Sequence, residues 1–289
     1  MTSRYLPALG ALAAGAVLTA TACAPADDAA SGSGDAAPVE CTPGGLPTLT
    51  EGVLTIGTDS PAYPPWFVDD DPANGEGFES AVAYAVALEL GYEAEDVTWT
   101  TVAFNSAIQP GPKDFDFNVN QFSITEERAQ AVDFSGPYYD VRQAVVALNG
   151  SEAAEATSTA DLAGLTIGAQ VGTTSYDTLL ETVDPQTEPL VYNNNDDAKQ
   201  ALENGQVDAV VFDLPTAFYI TAAELEDAVI VGQLPRTETV AEQFGLVLDL
   251  DSPLTDCVSE ALESLRERGV LDELEQEWLA EAADAPELD

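Results

Sequence analysis

Histidine is absent from the 289 residues, and lysine and arginine together number only eight against 52 aspartates and glutamates. Without imidazole there is no histidine base and no histidine-ligated metal site, although carboxylate, lysine or tyrosine chemistry stays open. The formal charge of −44 repels phosphate backbones and anionic lipid, which argues against nucleic-acid binding and electrostatic adhesion to a membrane. Long hydrophobic runs are also missing. The one near the N-terminus, about Leu6 to Val17, is shorter than the ~20 residues that span a bilayer. Against these shortages, 45% of the residues are hydrophobic, an ordinary fraction for a folded protein, so the acid is added to a globular chain.

Residues 1–22 read as a secretory signal: Arg4, the apolar run, then Thr19-Ala20-Thr21-Ala22. Ala20-Thr21-Ala22-Cys23 resembles the lipobox of bacterial lipoproteins, whose cysteine is acylated after cleavage, although Ala20 stands where that pattern prefers leucine. The alternative is plain secretion by cleavage after Ala22. Three cysteines in an exported chain leave one odd; setting Cys23 aside for the lipid leaves Cys41 and Cys257 as a pair, expected to form a disulfide unless both are free thiols. Residues 24–39 are almost entirely Ala, Gly, Ser, Pro and Asp and contain too little to form a core. Residues 23–47 are therefore expected to be a lipid-anchored tether, placing the body outside the membrane and attached through Cys23 alone.

Two phrases then repeat. Leu54-Thr55-Ile56-Gly57 recurs as Leu165-Thr166-Ile167-Gly168, each a short run that reads as a buried strand ending at glycine. A helix is expected after each: the first carries Phe78, Val82, Ala85, Val86 and Leu90 at near-3.6 spacing, and the second begins near Ser175. Further strands are expected at Phe115–Val119, Val207–Phe212 and Gly245–Leu248, and helices carrying Val258, Ala261, Leu262 and Leu265 and, after Gly269, Leu271, Leu274 and Trp278. Strands alternating with helices imply two α/β halves with parallel sheets, whose ligands sit beyond the carboxyl ends of the strands. The segments at those ends are Asp59–Trp66, Gln121–Arg128, Gln170–Thr174 and Asp213.

The string Phe122-Ser123-Ile124-Thr125-Glu126-Glu127-Arg128, continuing through Asp133-Phe134-Ser135-Gly136-Pro137-Tyr138, closely resembles family 3 of the bacterial extracellular solute-binding proteins, the receptors of polar amino-acid ABC importers. Gly77-Phe78-Glu79, Val171-Gly172-Thr173-Thr174 and the strand ending at Asp213 extend the resemblance over roughly residues 48–280. It implies a periplasmic-binding-protein-like fold: two α/β lobes joined by two crossing strands, near 140–146 and 236–244, with a ligand cleft between them. Residues 48–142 and 240–289 would form the first lobe and 143–239 the second. Two departures bear on side-chain recognition: Glu79 stands where the family often has Asp, and Gln121 where it often has Ser or Gly.

An α-amino acid brings a carboxylate and an ammonium group, and burying either requires a direct partner. The resemblance makes Arg128 the carboxylate clamp, with its planar fork, and Asp213 the ammonium acceptor. As surface pair or helix cap, neither would need a ligand. Ser123, Thr173 and Thr174 would add donors; Gln121 and Asp59 would approach the side chain; Tyr63, Trp66 and Phe104 would wall it unless they belong to the core. Arg142 offers an opposite charge to Asp59 unless it pairs with Asp140. The acidic run Asp69-Asp70-Asp71 lacks the ligand spacing of a calcium loop, so no metal and no cofactor are expected. No Walker phosphate loop is present, so the ATPase would be a separate subunit beside an ABC permease. The expected protein is a monomeric receptor and not an enzyme; a small-acid dehydratase on the same fold and an extracellular sensor domain are the alternatives.

Overall fold

The computed structural model describes residues 41–42, 45–237, 242–279 and 285–289. The expected signal peptide, Cys23 and its lipid, and most of the tether lie outside the described residues.

Two five-stranded sheets organise these residues. In the first, β1 (Leu54–Thr58) lies parallel between β2 (Val97–Thr101) and β3 (Phe117–Asn118). Strand β10 (Gln243–Leu248) then runs antiparallel to β3 and to β4 (Asp133–Asp140). The second sheet repeats this plan. Strand β6 (Ile167–Gln170) lies parallel between β7 (Leu190–Tyr192) and β8 (Ala209–Asp213), and β5 (Gln143–Leu148) runs antiparallel to β8 and to β9 (Ala228–Gln233). The sheets are thus mixed rather than wholly parallel, because the fourth strand of each arrives from the opposite lobe.

Both faces of each sheet are covered, and strand alternation divides the side chains between them. On β10, Phe244, Leu246 and Leu248 face the core beneath α1 (Phe78–Glu89), α7 (Thr255–Glu267) and α8 (Val270–Trp278), while Val247 faces Phe104, Phe115 and Phe122. On β8, Val210 and Phe212 face one core and Ala209 and Val211 the other. The helices with apolar stripes form where their spacing predicts. On α4 (Thr174–Val183), Leu179 is buried while Leu180 turns out to solvent.

The chain passes between the sheets twice. The first crossing is confined to Val141 and Arg142, since Gln143 already pairs with Asp213. The second lies between Gln233 and Gln243. The lobe boundaries need two corrections. Leu46, assigned to the tether, is buried in the first core, and Cys41 is bonded to Cys257 on α7. Residues 285–289, assigned to the first lobe, belong to the second: Gln233 donates to Pro286 O at 2.7 Å, Leu288 donates back to Gln233 O at 2.9 Å, and the Leu288 side chain is buried there. A polar tether and an acidic tail carry one apolar anchor each, too few to register as periodicity.

Candidate functional site

A cavity of about 260 Å³ lies between the lobes, at the carboxyl ends of β1, β6 and β8. The first lobe contributes Asp59, Tyr63, Phe104, Gln121, Ser123 and Arg128, and the second contributes Thr173, Thr174 and Asp213. Nine of the ten expected ligand residues meet there.

Arg128 opens a one-turn helix after the Ser123–Glu127 loop, and its guanidinium stacks over the Phe104 ring at 5.5 Å. Phe104 in turn stacks on Phe122 at 4.8 Å, so the cation rests on a rigid aromatic floor. Nη1 donates to Ser123 O at 2.7 Å, and Nη2 donates to Gly172 O in the other lobe at 2.8 Å. A guanidinium has five N–H groups, so three remain beyond these two bonds. Gly172 is glycine for a reason that belongs to the closed cleft: its φ is 74°, and a Cβ there would stand 2.8 Å from Asn105 Oδ1 of the first lobe. Ser123 and Thr174 also bridge the lobes, Oγ to Oγ1 at 2.9 Å. Thr173 caps α4 by accepting from Tyr176 N.

Asp213 sits at the first turn of α6 (Leu214–Tyr219) but makes no side-chain cap bond. Its Oδ1 accepts from Gln143 Nε2 at 2.8 Å, and Gln143 Oε1 accepts from Ser175 Oγ at 2.6 Å. Burial pushes the Asp213 carboxyl up to about 6, opposed by the Gln143 bond and the Arg128 charge. An acid that lines the cavity, spares the helix terminus and gains by staying near a cation is suited to an ammonium group.

The other expectations divide. Asp59 lines the cavity, but both of its oxygens are taken by backbone donors, Ser60 N at 2.7 Å and Phe104 N at 2.9 Å. It therefore shapes the loop. Tyr63 lines the mouth, where its hydroxyl bonds Asp196 and receives Lys199 Nζ at 3.0 Å. Trp66 does not reach the cavity. It is fully buried against Phe78, Tyr139 and Phe244, and its Nε1 donates across the lobes to Thr216 Oγ1 at 2.8 Å. Arg142 is outside as well, held at the first crossing by Glu287 at 3.4 Å and Leu234 O at 3.3 Å; Asp140 pairs with Gln243 instead.

Sequence reasoning missed Asn193, Asn194, Asn195 and Asp196, which line the cavity at the start of α5 (Asn195–Glu203). The usable signal was Leu190-Val191-Tyr192 before four polar residues, a strand followed by its ligand end. It also undervalued Glu79. Gly77, with φ 97° and no room for a Cβ beside Trp66 O, turns the chain so that α1 starts with Glu79 pointing inward, 0% exposed. One carboxyl oxygen accepts from Gln121 N at 2.7 Å and from the Tyr138 hydroxyl, and the other accepts from Gln121 Nε2. Burial pushes this carboxyl up to about 7 against those three bonds, and Asp213 adds to the rise. Gln121 has φ 48°, a left-handed conformation that costs a non-glycine residue about 1–2 kcal/mol.

Two mixed α/β lobes enclosing a polar cavity at the carboxyl ends of their parallel strands define the periplasmic-binding-protein-like class. The chain belongs to the bacterial extracellular solute-binding proteins, family 3, whose sequence profile matches residues 54–281. Among the curated relatives, the arginine-binding periplasmic protein of Mannheimia haemolytica is 27% identical over 222 residues, covering 76% of this chain and 88% of the relative. The L-cystine-binding protein TcyJ of Escherichia coli (strain K12) is 26% identical over 231 residues, covering 78% and 82%. Among solved structures, an ancestral arginine-binding protein bound to arginine is 32% identical, with a TM-score of 0.64, covering 78% of this chain and 98% of that one.

Proposed function

We propose that the protein captures a polar amino acid outside the cell membrane, held there by a lipid on Cys23, and hands it to an ABC permease driven by a separate ATPase subunit. The observation that carries this reading is the opposition of a guanidinium, Arg128 from the first lobe, and a carboxylate with one oxygen left beyond its Gln143 bond, Asp213 from the second, across one small cavity. Arg128 takes the α-carboxylate through its remaining N–H groups, and Asp213 takes the α-ammonium. Ser123, Thr173 and Thr174 line the carboxylate end, while Gln121, Tyr63 and the Asn193–Asp196 run line the remainder. A ligand that contacts both lobes favours the closed form. Relatives named for binding arginine and cystine support an amino acid as the ligand.

A thermal-shift screen against the common amino acids tests this. A ligand present at 100 times its dissociation constant adds about 2.7 kcal/mol to the stability of the native state. At least one polar amino acid is expected to raise the melting temperature; no shift with any of them overturns the reading.

A further inference from the structure

We propose that Glu79 is a positioning residue: from beneath the cleft floor it fixes the amide of Gln121 with Nε2 turned down and Oε1 left to the ligand, so that the bound side chain is selected for a hydrogen-bond donor. The inference rests on the reading of the cleft as an amino-acid receptor site.

Three donors, Gln121 N, Gln121 Nε2 and the Tyr138 hydroxyl, converge on the two oxygens of one fully buried carboxyl group. Serving three donors at once is what an ionised carboxyl group, which only accepts, can do, and in that form the Gln121 amide meets it through Nε2. The two ends of an amide point apart. With Nε2 held below, Oε1 is turned away from Glu79, and Gln121 is itself a wall of the cavity. The same carboxyl bonds the Gln121 backbone and thereby holds the left-handed φ of 48° that brings this side chain over the floor. A residue kept only to fill the space beneath Gln121 would not need an acceptor at both positions.

The chemistry predicts an inversion. In Glu79→Gln the new amide presents both a donor and an acceptor, so the Gln121 amide is free to reverse and turn Nε2 toward the ligand. The measurement is calorimetric titration of full-length protein with isosteric ligand pairs that differ in donor and acceptor at one end: glutamine against glutamate, and arginine against citrulline. Wild type is expected to prefer the donor-bearing member of the pair it binds. Glu79→Gln is expected to shift the ratio of dissociation constants by about tenfold toward the acceptor-bearing member, the scale of one hydrogen bond made or lost.

Gln121→Gly separates this from a simple loss of negative charge, because glycine suits the backbone conformation and removes the amide. Adding Glu79→Gln to Gln121→Gly should leave the ratio where Gln121→Gly put it; a further shift toward the acid would assign the effect to charge and overturn the proposal. An unchanged ratio in folded Glu79→Gln also overturns it. If that variant does not fold, Gln121→Gly decides alone, since a ratio equal to wild type removes the amide from recognition. Failure of wild type to bind either pair overturns this inference, and failure to bind any of the common amino acids sinks the receptor reading with it, whereas binding with an unmoved ratio sinks only the inference.

Discussion

Leu-Thr-Ile-Gly leads into the central strand of three parallel ones in both lobes, β1 in the first and β6 in the second. The likeness extends to the way those strands are started. Asp116 donates its N–H to Thr55 O at 2.7 Å, and its carboxylate accepts from Thr55 N; Asp208 does the same with Thr166 O and N at 2.7 and 2.8 Å. The lobes differ in the connection that leaves the strand. Nineteen residues, 59 to 77, separate β1 from α1 and bring Asp59 and Tyr63 to the cavity, whereas only Val171, Gly172 and Thr173 separate β6 from α4. The repeated residues build a scaffold, and the unequal connections beyond the strands decide what each lobe offers a ligand.

The offers are unequal in charge as well, and that gives the largest expected effect. The first lobe supplies the cavity's cation, Arg128, and the second answers that residue with the Gly172 carbonyl. Arg128→Ala should weaken amino-acid binding by about 3–5 kcal/mol, two to four decades, because a desolvated carboxylate loses its main partner. Arg128→Lys should also bind weakly, since a point charge does not reproduce the planar fork. Calorimetric titration on variants shown by circular dichroism to be folded would detect this, and near-normal affinity in Arg128→Ala would remove it from the site.

The paired aspartates allow a second test, in stability. Asp116 is buried and also accepts from Leu49 N at 2.8 Å, so Asp116→Ala strands two backbone donors and should cost about 2–3 kcal/mol. Asp208 is exposed, and water replaces its single bond, so Asp208→Ala should cost about 1 kcal/mol or less. Urea unfolding of the two variants measures the difference; equal costs would show that the two strand starts are energetically equivalent despite their burial.

The smallest effect is in pH, and it falls on the second lobe. In the role proposed for it, Asp213, raised to about 6, would accept an ammonium group as an anion, so affinity should fall as the pH drops through that value, approaching tenfold per unit below it. Titrations between pH 5 and 8 would follow the decline, and Asp213→Asn should bind weakly throughout with that step absent. A wild-type profile flat over this range would separate Asp213 from the ligand.

Much of this arrangement was legible because it is written in local patterns. The apolar stripes of α1, α7 and α8 need only their own spacing, and the strand ends at Thr58, Gln170 and Asp213 locate the cavity walls by a general rule of parallel sheets. β7 escaped because Leu190 and Val191 are exposed on a three-residue edge strand, which has no alternation to read, and Asn193–Asp196 escaped with it.

What the sequence determined by itself is the nearly one-signed charge, the repeated strand that implies two α/β halves, and, through a contiguous motif and the resemblance it carries, the segments from which the cleft is built. Only the tertiary structure decided that Trp66 is a buried tie to Thr216, that Arg142 answers Glu287, that Leu288 anchors the tail in the second lobe, and that Glu79 lies sealed under Gln121. The partners in these cases are 42 to 150 residues apart, and whether an aromatic ring walls a cavity or fills a core, or a carboxyl meets water or an amide, depends on which surfaces packing brings together.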